Sequence, residues 1–247
     1  WAVGRASERC EGGGCGGDAD ECGETPECVC CCCGCFFFND TATTEIYTLS
    51  LHDALPIYAD ELRYMAEKLK VQDYVTELNT LDGLWTSRVT SHIALRDVSD
   101  ALTEKGICEA VLLVDKVLKK VGVDRPQIAV AALNPHAGDG GNFGDEEIHL
   151  ITPVVNKLKA MQLSVDGPVP ADTIFLKARA GEFDGVVAMY HDQGQIALKL
   201  MGFDRGVTVH GGLPFPITTP AHGSAFDIAG QGKADSGATT AAFGVAC

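Results

Sequence analysis

Beyond residue 35 the chain is almost without cysteine: nine of its 11 cysteines lie at or before Cys35, and only Cys108 and Cys247 follow. That distribution excludes a disulfide framework for the larger part of the chain, because such a framework staples its own domain. It also speaks against a zinc module, which needs ligand pairs at set spacing with a second pair some way off. No apolar run approaches the ~18 residues that span a bilayer, so no membrane segment is expected. A basic stretch followed by an apolar core is missing from the first residues, so no secretory signal is read there. Basic residues are in the minority, 19 against 34 acidic, and a net charge of -15 argues against a nucleic-acid partner. There is no G-K-[ST] phosphate loop and no internal repeat.

What is present divides at about Ile57. Residues 1–57 hold 2 basic and 10 acidic residues, whereas 58–247 hold 17 basic and 24 acidic, a mild excess common in cytoplasmic enzymes. Before Ile57 no helical or strand period is visible, and "EGGGCGGDADECGE" is too poor in apolar residues to build a core. Six cysteines crowd into Cys28–Cys35, followed by "FFF" and then "NDTATTEIYTLSLHDALPI" at 39–57. Those 19 residues match, in order, the translation of a standard short-read sequencing adapter, and a poly-T run encodes Phe. The expectation is therefore that 1–57 is an artefactual, disordered segment joined to a gene fragment, and that its cysteines carry no chemistry.

From residue 58 onward, helical and strand-like patterns alternate. "DELRYMAEKLKV" (Asp60–Val71) has the spacing of an amphipathic helix, and Leu84–Ile93 is strand-like. Leu95–Val123 reads as mostly helical. Gln127–Leu133 and Gly185–Tyr190 are continuous apolar runs, the mark of buried parallel strands, and Gly206–Gly212 reads as a third strand. A further helix is expected over Asp145–Leu163. The fold class that follows is α/β, a mostly parallel sheet with flanking helices.

Three histidines follow predicted strands: His92 in "TSHIALRDV", His136 in "NPHAGDGG" and His191 in "MYHDQG". In open α/β sheets ligands bind beyond the carboxyl ends of the strands. Imidazole suits divalent metals, and three histidines leave positions free for substrate. On these residues alone, metal or substrate binding and plain loop polarity both stand. Gly138, Gly140, Gly141 and Gly144 allow close backbone approach to a ligand. Asp172, in the proline-rigid "GPVPADTIF", is either a presented carboxylate or a helix cap. Lys199 lies about two helical turns after His191, placed to neutralise a phosphate or act as an acid, or simply to face solvent. "PAHGSAFDIAGQGKAD" (Pro220–Asp235) has neither period and fits a ligand clamp better than a spacer.

Taken together, "SHIALRDV", "LNPHAGDGGNFGDEEI", "GPVPADTIF", "AMYHDQGQIALKLMGF" and "GGLPFPITTPAHGSAFDIAGQGKAD" resemble the 4-hydroxythreonine-4-phosphate dehydrogenase family of vitamin B6 biosynthesis. The resemblance covers 58–247. Its last loop is also similar to the adenosine-binding loop of the wider isocitrate and isopropylmalate dehydrogenase group. The resemblance implies an isopropylmalate-dehydrogenase-like fold with an incomplete first domain. It divides the chain into the segment 1–57, a metal- and substrate-binding unit at 58–220, and an adenosine loop at 221–247 that starts the return toward that first domain. It further implies oxidation of a phosphorylated or carboxylated 3-hydroxy acid with NAD or NADP, then decarboxylation, with a divalent metal (Zn, Mg or Co).

Carried over residue by residue, His92, His136 and His191 match the metal ligands, which meet at a homodimer interface. Asp172 and Lys199 match catalytic and substrate-contacting positions, and Thr208 falls where the family binds substrate through Asn. His222, Gly223, Ser224, Ala225, Asp227, Ile228 and Ala229 match the cofactor loop. Ile217 stands where the family has Arg, and loss of a bidentate partner for phosphate or carboxylate leaves the substrate open. The alternatives are a phosphorylated sugar acid of the threonate or erythronate type, a dihydrodiol carboxylate, or a non-catalytic fragment. A metal-binding scaffold built on the cysteines, or an acyltransferase of the same fold, leaves the three histidines unexplained. The family's first segment, with a "GDPAGIG"-like stretch and a His-Thr pair, is not found, so the chain as written is expected to turn over poorly.

The adapter reading has a direct check. Sequencing the locus from source DNA should return no in-frame copy of residues 39–57; an intact genomic copy would sink it.

Overall fold

The computed structural model describes residues 60–222 and 228–247, together with the backbone of two short strands, Val29–Cys30 (β1) and Cys35–Phe36 (β2), which pair antiparallel. No strand period was expected there; a two-residue ladder is too short to need one. The adapter-like stretch and the remaining cysteines before Cys35 lie outside the described residues.

The main sheet has seven strands in the order β6-β5-β7-β4-β3-β8-β9. They are Thr76–Leu81 (β3), Leu84–Arg88 (β4), Ile128–Ala131 (β5), Val165–Val169 (β6), Gly185–Ala188 (β7), Val207–Gly211 (β8) and Thr218–Pro220 (β9). One half, β6-β5-β7-β4, is parallel, as the continuous apolar runs predict. In the other half β3, β8 and β9 join antiparallel. The sheet is therefore mixed, within the α/β class expected.

Helices cover both faces. Glu61–Lys68 (α1) starts at Asp60, whose carboxylate accepts from the Arg63 amide at 2.8 Å. The long helical stretch after Leu95 breaks into Val98–Ala101 (α2) and Glu104–Lys120 (α3), because Thr103 turns extended and caps α3 by accepting from the Gly106 amide at 3.0 Å. Thr152–Ala160 (α4), Ala171–Arg179 (α5), His191–Gly202 (α6) and Gly237–Ala246 (α7) complete the set.

Strand alternation sorts the core into two layers. Ile128, Val130, Val187, Leu78, Val207 and Val209 face α3, α4 and α7, while Ala129, Ala131, Val186, Leu81 and Leu84 face α5 and α6. The segment after the expected adenosine loop thus returns to this sheet: α7 packs on it through Ala242, whose carbonyl accepts from the Thr218 hydroxyl at 2.8 Å. Among the described residues no helix is long and apolar enough to cross a membrane.

Leu118 on α3 is fully enclosed beneath β5 and β7. Leu118→Ala should lower stability by roughly 2–5 kcal/mol, the cost of lost transfer energy plus a cavity. Chemical denaturation measures it; a loss below about 1 kcal/mol would show that the site collapses freely.

Candidate functional site

Four adjacent parallel strands end at one edge of the sheet, and each delivers a candidate residue there. In spatial order β6 leads to Asp172, β5 to His136, β7 to His191 and β4 to His92. The ladder between β4 and β7 continues past both strands. The Val89 amide donates to Ala188 O at 2.9 Å and the Thr90 amide to Met189 O at 3.1 Å; the Thr90 hydroxyl donates to the same carbonyl at 2.8 Å. The two histidine-bearing turns are thereby fixed side by side. His92 has a positive φ of 36°, and His191 is the first residue of α6. Their rings lie 5.6 Å apart, centroid to centroid. They line a cavity of about 260 Å³ with Thr90, Ser91, Tyr190 and Asp192. His191 Nδ1 is 2.7 Å from Asp192 Oδ1, a contact that fixes the orientation of the ring.

His136 stands on the neighbouring β5 turn, exposed, with its ring 6.0 Å from Phe143. Among the described residues no group of three or more His, Cys, Asp or Glu side chains comes together as a metal cluster. The structure brings His92 and His191 together and leaves His136 outside that pair within one chain.

The His136 turn is unusual. His136, Ala137, Gly138, Asp139, Gly140 and Gly141 all have positive φ, from 45° to 99°. Left-handed backbone costs an L-residue about 1–2 kcal/mol, and three of the six are not glycine. A buried carboxylate offsets that cost. Glu147, 2% exposed, accepts from the Leu133 amide at 2.8 Å, the Asn134 amide at 2.7 Å and Asn134 Nδ2 at 2.9 Å. Hydrogen bonds to a charged acceptor are worth about 1.5–3 kcal/mol each, the same order as the strain. Only glycine fits at 138, where a Cβ would lie 2.8 Å from Glu147 Oε2. The Ser99 hydroxyl donates to Glu146 at 2.6 Å and holds that carboxyl below its ordinary range. Glu147 opens a π-turn over Glu147–Ile151 where a continuous helix was expected; such turns recur at functional sites. The signal missed in the sequence was "GDEEI", three acids of which one turns inward. Gln193, also missed, ties the edge together: its amide donates to Ala132 O at 2.8 Å and its oxygen accepts from the Met189 amide at 2.7 Å.

Asp172 is exposed in the first turn of α5, and the N-cap position is Pro170, so Asp172 is no cap; it complements the helix dipole at the histidine edge. Lys199 is exposed two turns down α6, ~12 Å from His191 along the helix axis. It lines a small separate pocket with Asn79, Gln195, Gly202 and Gly206. Thr208 is half-buried on β8 and its hydroxyl accepts from Asn79 Nδ2 at 2.8 Å. Arg88, 4% exposed, donates to Glu77, to Asn79 Oδ1 at 3.1 Å and to Ser91 at 2.9 Å. Burial pulls the Arg88 guanidinium below its ordinary value, and the Glu77 carboxylate opposes that shift. His222 is half-buried after β9, while Ile228 and Ala229 sit in a turn. Gly223, Ser224, Ala225 and Asp227 lie outside the described residues.

Comparison with known proteins agrees with the residue pattern. The family described as pyridoxal phosphate biosynthetic protein PdxA matches residues 38–246, a span that begins ahead of the compositional boundary at Ile57. A Pseudomonas aeruginosa protein, provisionally named 4-hydroxythreonine-4-phosphate dehydrogenase 2, is 58% identical over 200 residues, 80% of this chain and 59% of that protein. The D-threonate 4-phosphate dehydrogenase of Pectobacterium atrosepticum is 46% identical over 193 residues, 78% of this chain and 59% of its own length. The crystal structure of 4-hydroxythreonine-4-phosphate dehydrogenase from Klebsiella pneumoniae superposes with a TM-score of 0.70 at 42% identity, covering 79% of this chain and 59% of that one. The chain thus spans about 59% of the length of these relatives.

Removing the buried carboxylate tests its hold on the His136 turn. Glu147→Ala should cost about 3 kcal/mol and speed amide exchange across residues 133–144, while α3 amides keep their protection. Unchanged exchange in that turn would show that the left-handed run is held by other contacts.

Proposed function

The chain belongs to the PdxA family of pyridoxal phosphate biosynthetic proteins, and from that premise we propose that it is the metal- and substrate-binding part of an NAD- or NADP-dependent decarboxylating dehydrogenase. The substrate is a phosphorylated 3-hydroxy acid, the class that the names of its relatives share. The observation that carries this reading is the placing of three histidine-bearing turns on adjacent parallel strands, with His92 and His191 5.6 Å apart beside a cavity.

His92 and His191 fit a divalent cation in donor type, spacing and access. In this reading His136 completes the set from a second copy in a homodimer, because within one chain it stands apart. A divalent cation held by His92 and His191 would supply Lewis acidity to the substrate's oxygens there. The chain's own groups hold and steer the substrate. Asp192 fixes the His191 ring, and Asp172 at the head of α5 offers a carboxylate to hold the substrate or relay its proton. Lys199 offers an ammonium to developing charge or to the phosphate. His222 to Ala229 would hold the adenosine of the cofactor, which would supply the hydride acceptor. A cytoplasmic location accords with this chemistry.

Two of the relatives differ in substrate: one is named for 4-hydroxythreonine 4-phosphate and the other for D-threonate 4-phosphate. Thr208 and Ile217 depart from the family's Asn and Arg, so the threonate-type acid stands beside 4-hydroxythreonine 4-phosphate as the second reading.

In the full-length gene product, His92→Ala should reduce kcat on the order of a hundredfold. It should also weaken zinc binding by calorimetry, with the circular dichroism spectrum unchanged. Undiminished turnover and zinc affinity would overturn the metal role.

A further inference from the structure

The segment that carries His92 leaves the sheet after Thr90 and runs as an arm over residues 92–102, through a single turn at Leu95–Asp97 and the four-residue helix α2. It forms a wall of the histidine cavity with Ile93, Leu95 and Val98. Little holds it in place. Ile93 and Leu95 are exposed, and only Val98 and Leu102 are buried. His92 itself has a left-handed backbone, which an L-residue does not keep unless its surroundings impose it.

Among the described residues, the arm makes one side-chain hydrogen bond to a residue outside it: the Ser99 hydroxyl donates to Glu146 Oε1 at 2.6 Å. The other oxygen of the same carboxylate, Oε2, accepts from Asn134 Nδ2 at 2.6 Å, and that Nδ2 also donates to Glu147 Oε2 at 2.9 Å. Asn134 stands two residues before His136, in the turn that the buried Glu147 latches. Glu146 is therefore a strut. One end grips the arm of His92 and the other grips the latched turn of His136.

The surrounding chain accommodates this junction. Gly144 has a φ of 127°, and a Cβ there would strike Asn134 and lie 2.7 Å from Glu146 Oε2, so only glycine lets the backbone close on it. The Ser99 hydroxyl keeps the Glu146 carboxyl below its ordinary range and hence ionised near neutral pH. Hydrogen bonds to an ionised acceptor are the stronger kind. The bond to Ser99 lies at the surface, where single side chains add little to global stability. Its effect is local: it decides where the arm stands, not whether the sheet forms.

We infer that Glu146 is a positioning residue of the metal site. Through Ser99 it hangs the His92 arm on the His136 turn, and so sets the His92 imidazole for the cation it shares with His191. This inference rests on the metal reading above and adds to it the group that fixes one of the ligands.

The test uses the full-length gene product with zinc as the probe. The calorimetric Kd for zinc and the denaturation midpoint of the metal-free protein are measured for each variant. Ser99→Ala cuts the arm from the strut and leaves the latched turn intact. It should weaken zinc binding roughly tenfold, the low end of what loss of an outer-shell partner costs, with the midpoint unchanged. Ser99→Thr keeps the hydroxyl and should keep the parental Kd. Glu146→Ala should weaken binding at least as much as Ser99→Ala, and combining the two should change nothing further, because both act through one bond. Parental zinc affinity in Ser99→Ala overturns the inference. So does an additive double variant, or an affinity that falls only where the midpoint falls with it. His92→Ala separates the failures. A parent that binds no zinc, or binds it as well without the His92 imidazole, sinks the metal reading and the strut with it. Zinc binding that needs His92 and ignores Ser99 sinks the strut alone.

Discussion

The pairing of β5, β7 and β4 as adjacent parallel strands is the constraint on which the rest of the site depends. Parallel neighbours end on the same edge, so residues far apart in sequence (92, 136 and 191) arrive at that edge together, with the His92 and His191 rings in contact beside the cavity and His136 outside the pair. The pairing is itself a consequence of apolar burial on both faces. Ile128, Val130 and Val187 press on α3 and α4, while Ala129, Ala131 and Val186 press on α5 and α6. Central strands with two covered faces have no freedom to slip register, since a one-residue shift would exchange the two layers.

The histidine turns are held differently, and the difference follows the backbone each one needs. His92 and His191 ride on an extension of the β4–β7 ladder, so ordinary sheet hydrogen bonds set their spacing. His136 lies in a left-handed run that no ladder can stabilise. There the sequence supplies a buried acid, Glu147, and a glycine, Gly138, where a Cβ would strike it. The two modes give one rigid pair and one separately latched residue. That is a reasonable division if the third ligand is to meet the others across a subunit boundary.

Much of this was legible in the sequence, and the reasons are physical. Continuous apolar runs identified β5 and β7, because a strand covered on both faces shows no alternation. Histidines directly after those runs marked the carboxyl edge of the parallel strands, because the geometry of parallel sheets leaves little choice. β3, β6 and β9 were not read. β6, "VDGPV", carries Gly and Pro, which argue against a strand, and it is tolerated because β6 is at the sheet edge. β3, "TELNTL", shows no alternation because its leucines fall on opposite faces, and its polar residues Glu77 and Asn79 turn to Arg88 and Thr208. The break at Thr103 was hidden because a helical period runs on both sides of it.

The polar face of β3, β4 and β8 connects the pocket of Lys199 with the histidine cavity. They lie at two ends of a continuous hydrogen-bonded surface, with Asn79 and Gln195 between. A chain of engaged side chains is stiff, because moving any member breaks bonds at its neighbours. Sequence reading treats Glu77, Asn79, Arg88 and His210 as four unrelated polar residues spread over 134 positions. Strand register makes them adjacent, and it does so through the same sheet that brings the histidines to one edge. The polar network and the histidine edge therefore depend on a single packing solution, and a mutation that shifts β3 against β4 would disturb both at once.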